Sequence, residues 1–187
     1  AATQLDLSRL LALTTSSVMG LVLVGIGVGA YSTAAFLLLT HGFVKALLLL
    51  ASGVVLTTLK GESDLRKMGG LSQRMRWTQG IFGLGALALV GFPPFANFFP
   101  IEELLAFLWI SERPESDLVL MVAIASLGIL AFALGRAFFL IFWGNVRPGG
   151  LMERQLNDPA GWRQHSLTAL AVMAVLAGLL TPSQFWA

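Results

Sequence analysis

Charged residues in this chain come in short bursts between long apolar runs, and run length limits which elements can form. Between Leu10 and Val44 there is no charged residue for 35 positions. One membrane-crossing helix needs about 20 residues, so this run predicts one span and the first half of a second. The division falls near Gly29, Ala30, Tyr31 and Ser32. The second span covers residues 32–59, a stretch of 28 positions. As a helix it reaches about 42 Å, enough to cross a hydrocarbon core of about 30 Å. A third run, residues 77–101, contains Gly91, Pro93 and Pro94. Two prolines in succession remove backbone donors and clash with the preceding turn, which predicts a helix broken within the bilayer, between Phe92 and Asn97. A fourth span covers residues 118–143 and a fifth, shorter one residues 167–180, bracketed by Trp162 and Trp186 as interfacial anchors. The expected fold is all-α: a polytopic transmembrane bundle of about five helices, one of them broken, forming a single domain over residues 1–187.

Composition agrees with that pattern. Of the 187 residues 56% are hydrophobic and 12% charged, and the mean hydropathy is +0.80, far from the make-up of a soluble domain. With no cysteine and only two histidines, His41 and His165, the chain offers no thiolate or iron–sulfur chemistry and no convincing metal site. The net charge of +2 is small, and its bases lie in loops, where topology accounts for them without nucleic acid. Five alternating spans would place Arg9, Lys60, Arg66, Lys67, Arg74, Arg76, Arg147, Arg154 and Arg163 on one side and only Arg113 on the other. The basic side is then cytoplasmic, or its stromal or matrix equivalent. No basic n-region precedes the first apolar run, so no signal peptide is evident, and the chain reads as a fragment that begins inside a longer protein. Gly25, Gly27 and Gly29 superficially suggest a nucleotide loop, but they sit in lipid-length apolar sequence, where small residues at Gly25 and Gly29 more simply allow two helices to approach closely.

The candidate chemistry centres on Lys45, midway along the second span, and His41, four residues earlier on the same helical stripe. An ionised lysine at the bilayer centre costs about 2.5–3.5 kcal/mol on insertion scales, so it is expected to face other helices or internal water. A buried lysine and a histidine can both exchange protons near neutrality, and proton handling outweighs the alternative of a snorkelling lysine and a merely hydrogen-bonded histidine. Glu102 and Glu103 follow the broken segment. Successive helical residues point about 100° apart, so they do not share one catalytic site; they either stabilise a helix N-terminus or take part in proton entry or exit. Arg136 lies close enough to a span end to snorkel.

Three motifs in order, Thr40-His41-Gly42-Phe43-Val44-Lys45-Ala46-Leu47-Leu48, Asp64-Leu65-Arg66-Lys67-Met68-Gly69-Gly70-Leu71 and Gly91-Phe92-Pro93-Pro94-Phe95, resemble the antiporter-like membrane subunits of respiratory complex I. Asp6-Leu7-Ser8-Arg9-Leu10-Leu11-Ala12 is similar to the segment that opens a helix shortly before the lysine helix of that family. The likeness covers about residues 6–143. Within the family it is strongest to the group formed by NADH-quinone oxidoreductase subunit L, NADH dehydrogenase subunit 5 and their cyanobacterial and plastid counterpart. It implies the second of two inverted five-helix repeats, with Lys45 as the proton-relay lysine and His41 as its neighbour. It also implies a proton-translocating subunit of an NAD(P)H or ferredoxin dehydrogenase, partnered by other membrane subunits in a bacterial inner or thylakoid membrane. No cofactor is expected in this chain. Two departures stand out: Leu37 replaces a second histidine, and Pro100-Ile101-Glu102-Glu103 stands where the family has Ser-Lys-Asp-Glu, so Ile101 takes the place of the lysine expected to release protons. One of the two large antiporter-like subunits of a multisubunit sodium/proton antiporter, and a non-conducting structural spacer, remain as alternatives.

Overall fold

The computed structural model describes residues 2–144, 158 and 161–177, apart from the side chain of Arg163. These residues form six helices: α1 (Leu7–Gly27), α2 (Tyr31–Thr58), α3 (Arg76–Val90), α4 (Phe98–Ile110), α5 (Ser116–Phe142) and α6 (Trp162–Leu176). Three of them, α1, α2 and α5, are each long and apolar enough to cross a membrane in one piece. The expected second span, residues 32–59, is α2 displaced by one residue at each end.

α2 is the axis of the bundle. It packs against α1, α3, α4 and α6, while α5 covers α1, α3 and α4 from outside. Apolar residues surround α2 on most sides, so Leu37, Val44, Leu47, Leu48, Ala51 and Val55 are all fully buried. α5 has large apolar side chains turned outward, among them Met121, Val122, Ile124, Phe132 and Phe139. That exposure suits a helix facing lipid, where apolar contact carries no hydration penalty.

Helix ends follow from local chemistry. Asp6 caps α1, its Oδ1 accepting the Arg9 N–H at 2.8 Å. Its other oxygen accepts the Ser63 hydroxyl, and an isolated antiparallel bridge pairs Asp6 with Asp64 through Leu7 N to Ser63 O and Leu65 N to Leu5 O. This clamp ties the start of α1 to the loop after α2. Asp64 also binds the Arg66 guanidinium, whose hydrogen bond holds the Asp64 carboxyl down at about 2. The Ser63 hydroxyl likewise lowers Asp6. α1 and α2 meet closely at Gly25, where an added Cβ would lie 3.1 Å from the Ala34 Cβ. Gly29 does not share that packing role: it has open space around it and a φ of +88°, so it makes the turn between the two helices.

α3 has no capping side chain of its own. Asp158, some 80 residues further on, supplies one: its carboxylate accepts Trp77 N at 3.1 Å, Thr78 N at 3.0 Å and the Thr78 hydroxyl at 2.8 Å. An anion on the first free N–H groups of a helix satisfies both their hydrogen-bonding need and the helix dipole. Asp158→Ala is therefore expected to cost about 1–2 kcal/mol, the usual value of a lost cap, read as a lower unfolding temperature in detergent. An unchanged temperature would show that the cap contributes nothing.

These contacts sort the loops by end. Arg9, the bases of residues 60–76 and Asp158 gather at one end. Arg113 lies at the other, donating to the Gly27 carbonyl at the close of α1. Arg136 bonds the Ala2 and Gln4 carbonyls at the basic end, as a snorkelling residue should. The fifth expected span appears as α6, only 15 residues long. Leu180, Trp186, Arg147 and Arg154 lie outside the described residues.

Candidate functional site

Lys45 projects from the middle of α2 towards α1. Its Nζ donates to the Leu11 carbonyl and, at 2.8 Å, to Thr14 Oγ1. Thr14 is fully buried and donates its own proton to the Leu11 carbonyl at 2.7 Å. The ammonium is thus held by a hydroxyl and a carbonyl, and no carboxylate forms a salt bridge with it among the described residues. Neutral partners suit a group that must exist with and without its proton, because neither state leaves an uncompensated counter-charge behind.

One turn before Lys45, His41 is 3% exposed, and neither ring nitrogen has a hydrogen-bond partner. It shares a buried stripe with Leu37, Val44 and Leu48. Leu48 packs on Gly85, so this stripe faces α3. Lys45 and His41 therefore stand next to each other but lean towards different helices, α1 and α3. Two turns before His41, Thr33 is buried with an unbonded hydroxyl, and half-buried Glu103 of α4 lies beside it. At the other end of α2, Ser52 satisfies its hydroxyl on the Leu48 and Leu49 carbonyls.

The break forms as the prolines require. α3 ends at Val90, and Gly91 closes it in the left-handed conformation at φ 82°. Pro93 and Pro94 follow in irregular backbone, and α4 starts at Phe98. The groups freed at this depth find substitutes: Ala96 N donates to the Ala174 carbonyl near the end of α6 at 3.0 Å, and the Asn97 side-chain N–H reaches the Leu89 carbonyl at 3.4 Å. Ile101 is buried and packs over Gly91, whose added Cβ would come within 2.8 Å of its Cδ1. The position of the family lysine is thus an apolar plug.

Glu102 and Glu103 do not stabilise a helix N-terminus, one of the two roles open to them from sequence. α4 begins four residues earlier and has no acid in its first turn. Glu102 is exposed and Glu103 is half-buried, so the structure separates the pair onto different faces. Sequence reasoning overlooks Thr14, Thr33 and Asn97. The signal for Thr14 is Thr14-Thr15-Ser16-Ser17, a hydroxyl cluster inside an apolar run; Asn97 is the lone amide among prolines and aromatics.

Residues 1–131 match the family described as NADH:quinone oxidoreductase/Mrp antiporter, transmembrane. The chain belongs to that family. It is 33% identical to NAD(P)H-quinone oxidoreductase chain 5 of Synechocystis sp., over 96% of this chain and 32% of that protein. It is 34% identical to NADH-quinone oxidoreductase subunit L of Campylobacter jejuni, over 96% of this chain and 29% of that one. The chain therefore spans about a third of the length of these curated relatives. Its fold is that of a chain in the Mrp complex from Dietzia sp. DQ12-45-1b, with a TM-score of 0.78 at 21% identity, covering 95% of this chain and 40% of the other. This is an integral membrane protein of the antiporter-like family.

Proposed function

We propose that this chain is the proton-handling transmembrane unit of a complex I-like NAD(P)H or ferredoxin:quinone oxidoreductase. Redox chemistry would reside in other subunits, and no cofactor is assigned to this chain. The observation that carries the reading is Lys45, half-buried at the middle of the axial helix and held only by neutral groups of α1, with unbonded His41 one turn away. Protons would pass between Lys45 and His41 and leave by way of Thr33 and Glu103, towards the end marked by Arg113. The basic end would face the cytoplasm or stroma. Glu102, exposed on α4, would meet a neighbouring membrane subunit. Names of relatives support the setting, since they are chains or subunits of quinone oxidoreductases.

Ile101 favours a second reading, a spacer that kept the fold and lost conduction, because a buried isoleucine cannot bind a proton. Reconstituted assembled complex separates the readings. Quinone reduction is expected to acidify one side of sealed vesicles at a rate independent of sodium concentration. Sodium-dependent transport would move the assignment to a sodium/proton antiporter, and turnover without any ion movement through this unit would favour the spacer.

A further inference from the structure

With Ile101 closing the first turn of α4, the route from His41 towards Glu103 needs another polar group at the break. Asn97 is the one buried there. Its side chain is fully enclosed; its amide donates to the Leu89 carbonyl, while Oδ1 has no partner. A buried acceptor left unsatisfied is costly, and such atoms are normally met by a protein donor or an ordered water.

Depth and facing bring His41 and Asn97 together. Gly85 of α3 sits against Leu47 and Leu48 of α2. Leu89, four residues further along α3, lies about 6 Å beyond that contact. Because α2 runs the opposite way, this is the level of Val44, one turn or less from His41. Asn97 bonds Leu89, and His41 belongs to the stripe that faces α3. Three unbonded polar atoms, His41 Nδ1, His41 Nε2 and Asn97 Oδ1, thus share one buried layer at the break.

We infer that Asn97 and His41 hold an internal water between them, and that this water carries protons past Ile101. This rests on the relay reading of Lys45. A protonated imidazole would give its N–H proton to the water as the water releases another towards Thr33 and Glu103. The carboxamide only accepts a hydrogen bond and is unchanged by the transfer. Asn97 is in this sense a positioning residue, since the proton moves through the water it orients.

The test combines X-ray hydroxyl-radical footprinting in isotope-labelled water with proton translocation, both on assembled complex. Bound water near His41 should give isotope-labelled His41 in the wild type. Asn97→Leu is expected to abolish that label and lower translocation about tenfold or more, the usual scale for a lost proton-transfer element. Should Asn97→Leu fail to assemble, Asn97→Val and Asn97→Thr form a matched pair of equal shape: Thr keeps an oxygen and should keep label and pumping, and Val should lose both. Lys45→Ala is expected to keep the His41 label, so failure of the relay reading would show in pumping alone. Persistence of the label in Asn97→Leu or Asn97→Val would overturn the inference, as would normal pumping by a variant that has lost it.

Discussion

Lys45→Ala is expected to lower proton translocation about tenfold or more while leaving assembly nearly intact. The contacts on α1 explain the second half of that expectation. When Nζ is removed, the Leu11 carbonyl still accepts from the Thr14 hydroxyl, so neither group is left without a partner. A charge that is costly in a bilayer disappears at the same time. Lys45→Arg should not restore pumping, because a guanidinium stays protonated and cannot pass its proton on. His41→Ala should fall between the two: it opens a small polar-walled cavity in which water can take the place of the imidazole. The quantity to compare is protons moved per quinone reduced, at equal amounts of assembled enzyme. Wild-type coupling in Lys45→Ala would sink the relay and leave the spacer reading standing.

What can be read from sequence follows the range of the interactions concerned. The boundaries of α2 come from an uninterrupted apolar run with one lysine, and the break comes from Gly91, Pro93 and Pro94, whose backbone chemistry acts within one or two turns. The reach of Lys45 to Thr14 is not visible there, because 31 residues separate them and only the packing of α1 on α2 brings them together. The Asp158 cap on α3 crosses 80 or 81 residues and is hidden for the same reason. A capping role for the acids at positions 102 and 103 depends on taking Pro100 as a helix start. In the structure α4 already begins at Phe98, with Pro100 in its first turn, where a missing N–H costs nothing. Spacing alone groups Gly29 with Gly25, whereas one turns the chain and the other packs against Ala34.

Gly85→Val is expected to destabilise the bundle by about 3 kcal/mol, the upper end of the usual cost of overpacking a filled interior. Gly85 stands where α3 approaches α2: a Cβ there would lie 2.9 Å from Leu48 Cγ, 3.1 Å from Leu48 Cδ2 and 3.5 Å from Leu47 Cδ2. Cγ is the branch point of Leu48 and cannot swing clear as a terminal methyl can. Both leucines are fully buried, so they have no free volume to retreat into. The helices would have to separate along the stripe that also carries His41, so coupling should fall together with stability. Gly80 is the control on the same helix, with nothing within 4 Å of an added Cβ. Gly80→Ala should leave stability unchanged or raise it by up to about 1 kcal/mol, since glycine is the poorer helix former. Leu48→Ala combined with Gly85→Val should recover part of the loss by returning volume to the contact, a non-additivity expected only of touching residues. Unfolding temperature in detergent and the yield of assembled complex report the effect. If Gly85→Val proved as stable as Gly80→Val, α2 and α3 would not be in the tight contact on which the placement of His41 beside the break depends.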